Sequence, residues 1–336
     1  MLIVMDRSAT DEDVGRVVRS AERLGLKPHP IPGAQRTAIG LTGNKGAIGP
    51  GAFENLPGVF EVIPVSHPYK LVSREFHPED TVVSMGGVPI GGGKLAVIAG
   101  PCAVESLDQT LAVARAVKEA GASILRGGAF KPRTSPYEFQ GLGEKGLKLL
   151  DKARRATGLA VITELLSEQH VDLVAEYTDI IQIGTRNAQN FQLLIAAART
   201  GKPILLKRGL AMKIEEWLLA GEYVLANENP NLMFCERGIR SFETYTRNML
   251  DLAAIPIIKQ ESHLPVVIDP SQGVGRADLV IAMCKGAVAM GADALLIEVH
   301  PHPAEAWSDG AQQVTLEQFA RLMQELKPFI AAAGRG

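Results

Sequence analysis

Residues 95–126, LAVIAGPCAVESLDQTLAVARAVKEAGASILR, contain a strand, a helix and a second strand in one stretch. The apolar segments 95–99 and 123–125 are the predicted strands. A helix is predicted over residues 106–120, because Ser106 and Gln109 can cap its start and Gly121 is a stop signal. Strands that alternate with helices in this way indicate a parallel sheet covered by its connecting helices.

The same alternation continues through the rest of the chain. Six further strands are predicted at 160–163, 180–183, 203–206, 232–235, 265–268 and 294–299, with helical stretches between most of them. Eight strand–helix units in about 235 residues have the size and rhythm of a (β/α)8 barrel. The predicted fold of residues 95–336 is therefore an α/β TIM barrel.

A doubly wound parallel sheet is the alternative fold, and it usually has fewer strands and a nucleotide-binding loop. Residues 86–94, GGVPIGGGK, superficially match such a loop. However, Val88 and Leu95 stand where a Walker loop needs Gly and Ser or Thr, and a strand follows where a helix is required. We therefore expect a structural hairpin here.

The first 66 residues have a different pattern. Strands are predicted at 2–5, 27–31, 37–41 and 59–65, with a helix at 10–24 that Thr10 and Asp13 cap and a weak helix at 51–56. This β-α-β-β-α-β order predicts a small ferredoxin-like α+β domain over 1–66. Residues 67–94, rich in Pro and Gly, are expected to be a linker and lead-in hairpin.

Composition excludes several classes of protein. The chain has 336 residues with 35 Lys and Arg against 37 Asp and Glu, so its net charge of −2 gives no sign of nucleic-acid binding. The apolar runs are too short to span a membrane, and residues 1–7, MLIVMDR, lack the basic region of a signal peptide. Three Cys without CxxC spacing give no disulfide or zinc-finger framework. We expect a cytoplasmic enzyme.

Polar residues follow all eight predicted barrel strands, at the barrel end where TIM-barrel active sites lie. Three of them are the acids Glu164, Asp269 and Glu298. Six are cations: Arg126, Lys131, Arg133, Arg186, Lys207 and Arg237. Clustered cations repel one another unless an anion is bound, and six are too many for one phosphate. The pattern favours two phosphorylated or carboxylated substrates, and salt bridges around the barrel rim are the alternative.

A second group of residues suggests a metal site. Cys102, Glu298 and Asp309, with Asp269 nearby, offer the thiolate and carboxylates that suit Mn, Fe, Co or Zn. From spacing alone, Cys102 is equally compatible with a small buried hydrophobic residue, which is what we expect of Cys235 and Cys284. His300 and His302 are open between metal ligands, general acids and ordinary loop residues, of which composition alone favours the last.

Several long motifs resemble the 3-deoxy-D-arabino-heptulosonate 7-phosphate (DAHP) synthases. They are 71–80 LVSREFHPED, 125–130 LRGGAF, 131–134 KPRT, 143–147 GEKGL, 181–184 IQIG, 186–190 RNAQN and 235–240 CERGIR. The subtype resembled is related to 3-deoxy-octulosonate 8-phosphate synthase and carries an N-terminal ferredoxin-like domain. The similarity covers essentially the whole chain.

The resemblance implies a reaction and a role for each site residue. Phosphoenolpyruvate would condense with erythrose 4-phosphate and water to give DAHP and phosphate, the first step of the shikimate pathway of aromatic amino acid biosynthesis. Phosphoenolpyruvate would be held by Arg126, Lys131, Arg186, Lys207 and Arg237, with Glu164 nearby. The phosphate of the aldose would be held by Arg133 and Thr134. The divalent metal would be held by Cys102, Gln272, Glu298 and Asp309. The catalytic residues implied are Lys131, which would move protons, and Cys102, Glu164 and Asp309.

One position departs from the family pattern. The family has His after Asp-Pro-Ser, and this chain has Gln272. An amide oxygen is a poorer ligand than imidazole for transition metals, so Gln272 could ligate weakly, water could fill the position, or His300 or His302 could compensate. Two other functions stay open: a sister synthase that uses another phosphosugar, and a regulatory paralogue that binds phosphoenolpyruvate with impaired catalysis.

Residues 1–66 contain no cluster that suggests catalysis. In the resembled family such a domain is a sensor for Tyr or Phe, acting where domains pair across a homotetramer. An allosteric role requires two states with different affinity for the effector. A domain that only stabilises the oligomer is the alternative.

Overall fold

The computed structural model describes residues 1–33, 35–43, 48–63 and 68–335. The chain divides into two compact units. One comprises Met1–Glu79 with Glu261–His263, and the other Asp80–Gln260 with Leu264–Gly336. The predicted boundary between residues 66 and 67 falls outside the described residues.

The described residues of the N-terminal unit form a four-stranded antiparallel sheet with one helix. The strands are β1 (Leu2–Met5), β2 (Lys27–Pro32), β3 (Thr37–Thr42) and β4 (Val59–Ile63), in the order β2-β3-β1-β4. Helix α1 (Asp11–Arg23) buries Val17 and Ala21 in a core with Ile3 and Ile39. This is the predicted ferredoxin-like arrangement, although residues 64 and 65 of the last predicted strand lie outside the described residues.

The two helices predicted for this unit had different outcomes. The cap of α1 is confirmed, because Thr10 Oγ1 accepts from the Asp13 amide at 3.3 Å and Asp13 Oδ2 accepts from the Thr10 amide at 3.0 Å. The weak helix at 51–56 is wrong, since only a 3-10 turn, Pro50–Ala52, forms there. Gly and Pro on both sides of this short segment stop the turn from extending.

A hairpin precedes the barrel, as predicted in place of a nucleotide loop. Strands β5 (Val83–Met85) and β6 (Val88–Ile90) pair antiparallel across Gly86 and Gly87, whose φ angles of 56° and 81° suit a tight hairpin turn. Val83 and Ile90 are buried with the first residues of several barrel strands, such as Ala96 and Ala294. The hairpin therefore packs against the N-terminal end of the barrel and leaves the opposite end open.

Eight parallel strands close into a barrel in sequential order, which confirms the predicted fold class. They are β7 (Ala96–Gly100), β8 (Ile124–Arg126), β9 (Ala160–Leu165), β10 (Ile180–Ile183), β11 (Ile204–Lys207), β12 (Leu232–Glu236), β13 (Val266–Ile268) and β14 (Ala294–Glu298). All eight lie within two residues of their predicted positions. Because the strands are parallel, their C-terminal ends meet at one end of the barrel, here called the mouth.

Within the described residues, nine helices accompany these strands. They are α2 (Leu107–Glu119), α3 (Glu144–Thr157), α4 (Val171–Tyr177), α5 (Phe191–Ala198), α6 (Ile214–Leu225), α7 (Ala254–Glu261), α8 (Pro270–Val274), α9 (Ala277–Ala289) and α10 (Leu316–Ala332). In α2, Ser106 Oγ accepts from the Gln109 amide at 3.1 Å, as predicted. Among the described residues, no helix is long and apolar enough to cross a membrane.

Candidate active site

One pocket at the mouth gathers most of the predicted site residues. Nine of the twelve line it: Lys131, Arg133, Thr134, Glu164, Arg186, Lys207, Arg237, Gln272 and Asp309. They lie at the C-terminal ends of seven different strands or in the loops that follow, and this is why residues far apart in sequence meet here. The other three, Cys102, Arg126 and Glu298, do not line the pocket but are buried against it.

These three residues form the floor of the pocket together with Lys131. Arg126 Nη1 donates to Glu298 Oε1 at 2.7 Å, and Arg126 Nη2 donates to the Cys102 carbonyl at 3.1 Å. Lys131 Nζ lies 3.0 Å from both the carbonyl and Sγ of Cys102. Burial raises the pKa of the Cys102 thiol to about 11. The floor thus joins two buried cations to a carboxylate and a protonated thiol.

Lys207 is held by a buried ion pair at the end of β11. Its Nζ lies 2.6 Å from Asp269 Oδ2, and both side chains are shielded from water. The same Nζ donates to Gln272 Oε1 at 3.1 Å. Asp269 therefore fixes the ammonium group at the mouth, where it can meet an anion without reorganising.

A second buried network fixes Arg237. Arg208 Nη1 bridges Glu236 Oε2 at 3.0 Å and Asp251 Oδ2 at 2.9 Å. The other oxygen of Glu236 accepts from the Gly238 amide at 2.6 Å. Glu236 and Gly238 flank Arg237, so the network sets the backbone that presents this guanidinium to the pocket.

Glu164 lies among the cations at the end of β9. Gln182 Nε2 donates to its Oε2 at 3.3 Å, and a Cβ on Gly184 would come within 1.8 Å of its Oε1. Burial raises the pKa of this carboxyl, against the opposing pull of Lys131 and Lys207. Burial thus makes the Glu164 carboxylate a stronger base than an exposed glutamate, so it can accept a proton in the reaction.

Asp309 links three loops of the mouth. Its Oδ2 lies 3.6 Å from Arg133 Nη1, and its Oδ1 lies 3.2 Å from Arg247 Nη1. Cys102 Sγ donates to Oδ2 at 3.4 Å. Burial favours the neutral acid, but the charges of Lys131, Arg247 and Arg133 together hold the pKa of Asp309 below its usual value. Asp309 is therefore an anion at neutral pH.

Arg133 and Thr134 lie on the loop after β8. Arg133 Nη1 donates to Ser308 Oγ at 2.7 Å, and Arg133 Nε donates to Glu138 Oε2 at 3.0 Å. Thr134 Oγ1 accepts from Arg186 Nη2 at 3.2 Å. This loop is thus tied to both the β10 and β14 sides of the pocket.

The predicted metal ligands do not form a complete cluster. Within the described parts of the chain, no three His, Cys, Asp or Glu side chains are grouped so as to hold a metal ion. Glu298 Oε2 accepts from Gln312 Nε2 at 2.7 Å, and Gln272 Nε2 lies 3.5 Å from Glu298 Oε1. The amide oxygen of Gln272 instead accepts from Lys207 and from Arg237, at 3.1 and 3.3 Å.

The two histidines that could have compensated for Gln272 do not line the pocket. His300 Nε2 lies 3.2 Å from Glu105 Oε2, and its Nδ1 accepts from the His302 amide at 3.0 Å. Both ring nitrogens of His300 are therefore engaged outside the pocket.

Six residues that line the pocket were not among the predicted site residues: Pro132, Glu138, Gln182, Gly184, Thr185 and Arg247. Gln182 is the one polar residue in the otherwise apolar strand β10, which is a usable signal. Thr185 directly precedes Arg186 and carries no charge to draw attention to it. Arg247 lies ten residues beyond Arg237 in a long loop. Because it does not follow a predicted strand directly, the strand pattern gave no reason to place it at the mouth.

A TIM barrel whose mouth holds many fixed cations over buried carboxylates defines an enzyme-like site for anionic, phosphorylated compounds. The family model described as the DAHP synthetase I family matches residues 76–332, and the DAHP synthase ferredoxin-like domain matches residues 1–67. The chain belongs to the DAHP synthetase I family.

Similar proteins agree with this membership. Phospho-2-dehydro-3-deoxyheptonate aldolase of Thermotoga maritima is 51% identical over 334 residues, covering 99% of both chains. The crystal structure of that aldolase (DAHP synthase) from Thermotoga maritima matches with a TM-score of 0.80 at 50% identity, over 99% of this chain and 98% of the other. A 2-dehydro-3-deoxyphosphooctonate aldolase of Syntrophotalea carbinolica is 33% identical over 73% of this chain and 94% of its own length.

Proposed function

We propose that this protein condenses phosphoenolpyruvate with erythrose 4-phosphate and water to give DAHP and phosphate, as the first step of the shikimate pathway in the cytoplasm. The observation that carries this proposal is the similarity, over 99% of both chains, to a relative named for that product. The octulosonate relative matches only 73% of the chain, which favours the heptulosonate over the octulosonate reaction.

Phosphoenolpyruvate is assigned to the cations on the floor and the β10–β12 side of the pocket. Lys207 and Arg237 are positioned by buried carboxylates, as described above. Lys131 and Arg126 lie on the floor of the pocket, and Arg186 lines it after β10. Cations held in this way stabilise the phosphate and carboxylate throughout the reaction, because no reorganisation is needed as charge moves.

Proton transfer is assigned to Lys131 and Glu164. The enol carbon attacks the aldehyde carbon, and the aldehyde oxygen then needs a proton, which the Lys131 ammonium can donate. Water adds at the former enol carbon, and Glu164 can accept its proton. Phosphate then leaves from the tetrahedral hemiketal by cleavage of its carbon–oxygen bond, and the hemiketal hydroxyl loses its proton to the departing phosphate as the ketone forms.

The aldose phosphate is assigned to Arg133 and Thr134. Their loop follows β8, whereas Lys207 ends β11, so the two phosphate sites lie at different strand ends of the same pocket. A guanidinium fork and a hydroxyl together suit a phosphate group. Arg247 lines the same pocket and adds a further positive charge on this side.

A divalent metal would be held by Cys102, Glu298, Asp309 and Gln272. The chemistry of the donors supports this, because a thiol and two carboxylates suit Mn, Fe, Co or Zn. Cys102 Sγ and Asp309 Oδ2 are 3.4 Å apart, close enough to share one ion. When bound, such an ion supplies Lewis-acid polarisation of the aldehyde oxygen.

The N-terminal unit is proposed to sense Tyr or Phe in a homotetramer, with residues 1–66 as the sensor, 67–94 as the tether and 95–336 as the catalytic barrel. A pocket of about 360 Å³ in this unit supports a ligand-binding role, since Leu2, Val4, Ile31 and Ala38 give it an apolar wall. His77 and Glu79 add polar groups at its edge.

The experiment is an assay of phosphate release from phosphoenolpyruvate, with erythrose 4-phosphate and, separately, arabinose 5-phosphate, each with and without Mn. Release with erythrose 4-phosphate alone supports the proposal. Release only with arabinose 5-phosphate would indicate the sister synthase. Binding of phosphoenolpyruvate without release in any mixture would indicate the regulatory paralogue.

A further inference from the structure

Thr185 lines the pocket, and its buried hydroxyl has no hydrogen-bond partner among the described residues. Within the described residues, Thr185 Oγ1 and Arg126 Nε are the two buried side-chain polar atoms without one. A buried polar group left unpaired destabilises the folded protein, and such groups are rare away from functional sites. A bound ligand that supplied the missing partner would account for this atom.

The position of Thr185 indicates which ligand atom that would be. Thr185 begins the 3-10 turn Thr185–Asn187 near the end of β10, and it lines the same pocket as Lys207. Arg186, the next residue, is turned toward Thr134. A hydroxyl can rotate to donate to an anionic oxygen, whereas the neighbouring ammonium and guanidinium groups are donors in directions set by their own pairs.

We propose that Thr185 is a substrate-binding residue whose Oγ–H donates a hydrogen bond to an anionic oxygen of phosphoenolpyruvate. The inference rests on the proposed function and adds a contact that neither charge nor strand period predicted. Phosphoenolpyruvate is favoured over the aldose because Thr185 follows β10, between Glu164 on β9 and Lys207 on β11. Arg133, in contrast, is tied to Ser308 and Glu138 on the other side.

Removing the hydroxyl should have two opposite effects: higher stability of the ligand-free protein and weaker binding of phosphoenolpyruvate. Thr185→Val keeps the branched shape and removes the hydroxyl. Without ligand, the variant loses an unpaired buried polar group and should be more stable than the wild type. With ligand, it lacks a hydrogen bond to a charged oxygen and should bind more weakly. A residue with a purely structural role would not separate these effects.

The test uses the full-length enzyme, with Thr185→Ser as the matched control that retains the hydroxyl. Calorimetric titration with phosphoenolpyruvate should give a Kd for Thr185→Val about tenfold above the wild-type value, whereas Thr185→Ser should bind nearly as the wild type does. Melting without ligand should show Thr185→Val roughly 2 °C above the wild type. The KM for erythrose 4-phosphate should not change.

An unchanged Kd in Thr185→Val would overturn the proposal. So would an equal loss of affinity and of melting temperature in both variants, because that pattern reports misfolding of the turn. These outcomes leave the proposed function standing. Conversely, suppose that the wild type binds phosphoenolpyruvate but releases no phosphate with erythrose 4-phosphate. That result would refute the proposed function, and the titrations alone would then decide whether Thr185 contacts phosphoenolpyruvate. A wild type that does not bind phosphoenolpyruvate refutes both.

Discussion

The amide oxygen of Gln272 lies 3.1 Å from Nζ of Lys207 and accepts a hydrogen bond from it. This oxygen is the one atom of the side chain that could ligate a metal, and it faces the cations. The amide nitrogen faces Glu298 instead. Rotating the amide would turn its NH2 group toward Lys207 and Arg237, both of which are donors. To ligate a metal, Gln272 would have to give up its hydrogen bonds to these cations, so it would be a weak fourth ligand.

Replacing Gln272 with His should tighten metal binding, because a neutral imidazole nitrogen is a better ligand for transition metals than an amide. We expect Kd for Mn to fall about tenfold, which is roughly 1.4 kcal/mol. Competition with a chromophoric chelator measures this change. His302→Ala is the control and should leave the affinity unaltered. Loss of metal binding in His302→Ala would show instead that His302 compensates for Gln272.

Chelation should abolish turnover, and Mn or another divalent ion should restore it. Cys102→Ser should weaken metal binding, because a hydroxyl replaces a soft thiolate. Elemental analysis of the protein before and after dialysis against chelator gives the metal content. Full activity in protein shown to be free of metal would contradict the proposed metal site.

Glu164→Gln should stabilise the ligand-free protein increasingly as pH rises. The pKa of Glu164 is raised by burial, so the folded state binds more protons than the unfolded state. Its contribution to stability is therefore fully present below the unfolded pKa and is lost as pH rises through the folded pKa. The free energy of unfolding in urea, measured from pH 4 upward, should show the two proteins diverging. Parallel curves would mean that Glu164 ionises as freely in the folded state as in the unfolded state.

Glu236→Gln should cost about 3 kcal/mol of stability, because it leaves the buried Arg208 short of a countercharge. It should also raise the KM for phosphoenolpyruvate, since Glu236 and Gly238 set the position of Arg237. The matched control is Glu325→Gln, whose partner Lys285 lies 2.6 Å away in a partly exposed pair. That variant should lose less than about 1 kcal/mol. Equal losses in urea denaturation would argue against the buried network.

Deletion of residues 1–66 should leave an active barrel that no longer responds to Tyr or Phe. The deletion retains the β5–β6 hairpin, whose Val83 and Ile90 are part of the barrel core. A truncated form of the Thermotoga maritima synthase matches 79% of this chain with a TM-score of 0.74. Phosphate release should be compared in both proteins with each amino acid at millimolar concentration. A full-length enzyme that ignores both would leave the N-terminal unit only a structural role.

Local sequence determined most of the fold. The apolar segments and the cap at Ser106 placed the eight barrel strands and the first barrel helix to within two residues, because periodicity and capping depend on residues a few positions apart. The segment at 51–56 was the exception, where a weak helical pattern was outweighed by the surrounding Gly and Pro. Charge at the strand ends also indicated the pocket, since parallel strands bring their C-terminal ends together.

Tertiary structure alone decided which partner each side chain takes. Lys207 pairs with Asp269 across 62 positions, and Arg126 pairs with Glu298 across 172. The orientation of Gln272, the bridging of Asp309 by Arg247 and the unpaired hydroxyl of Thr185 likewise follow from contacts among different strand ends. Such contacts depend on closure of the barrel and on competition among buried donors and acceptors, which no local pattern in the chain encodes.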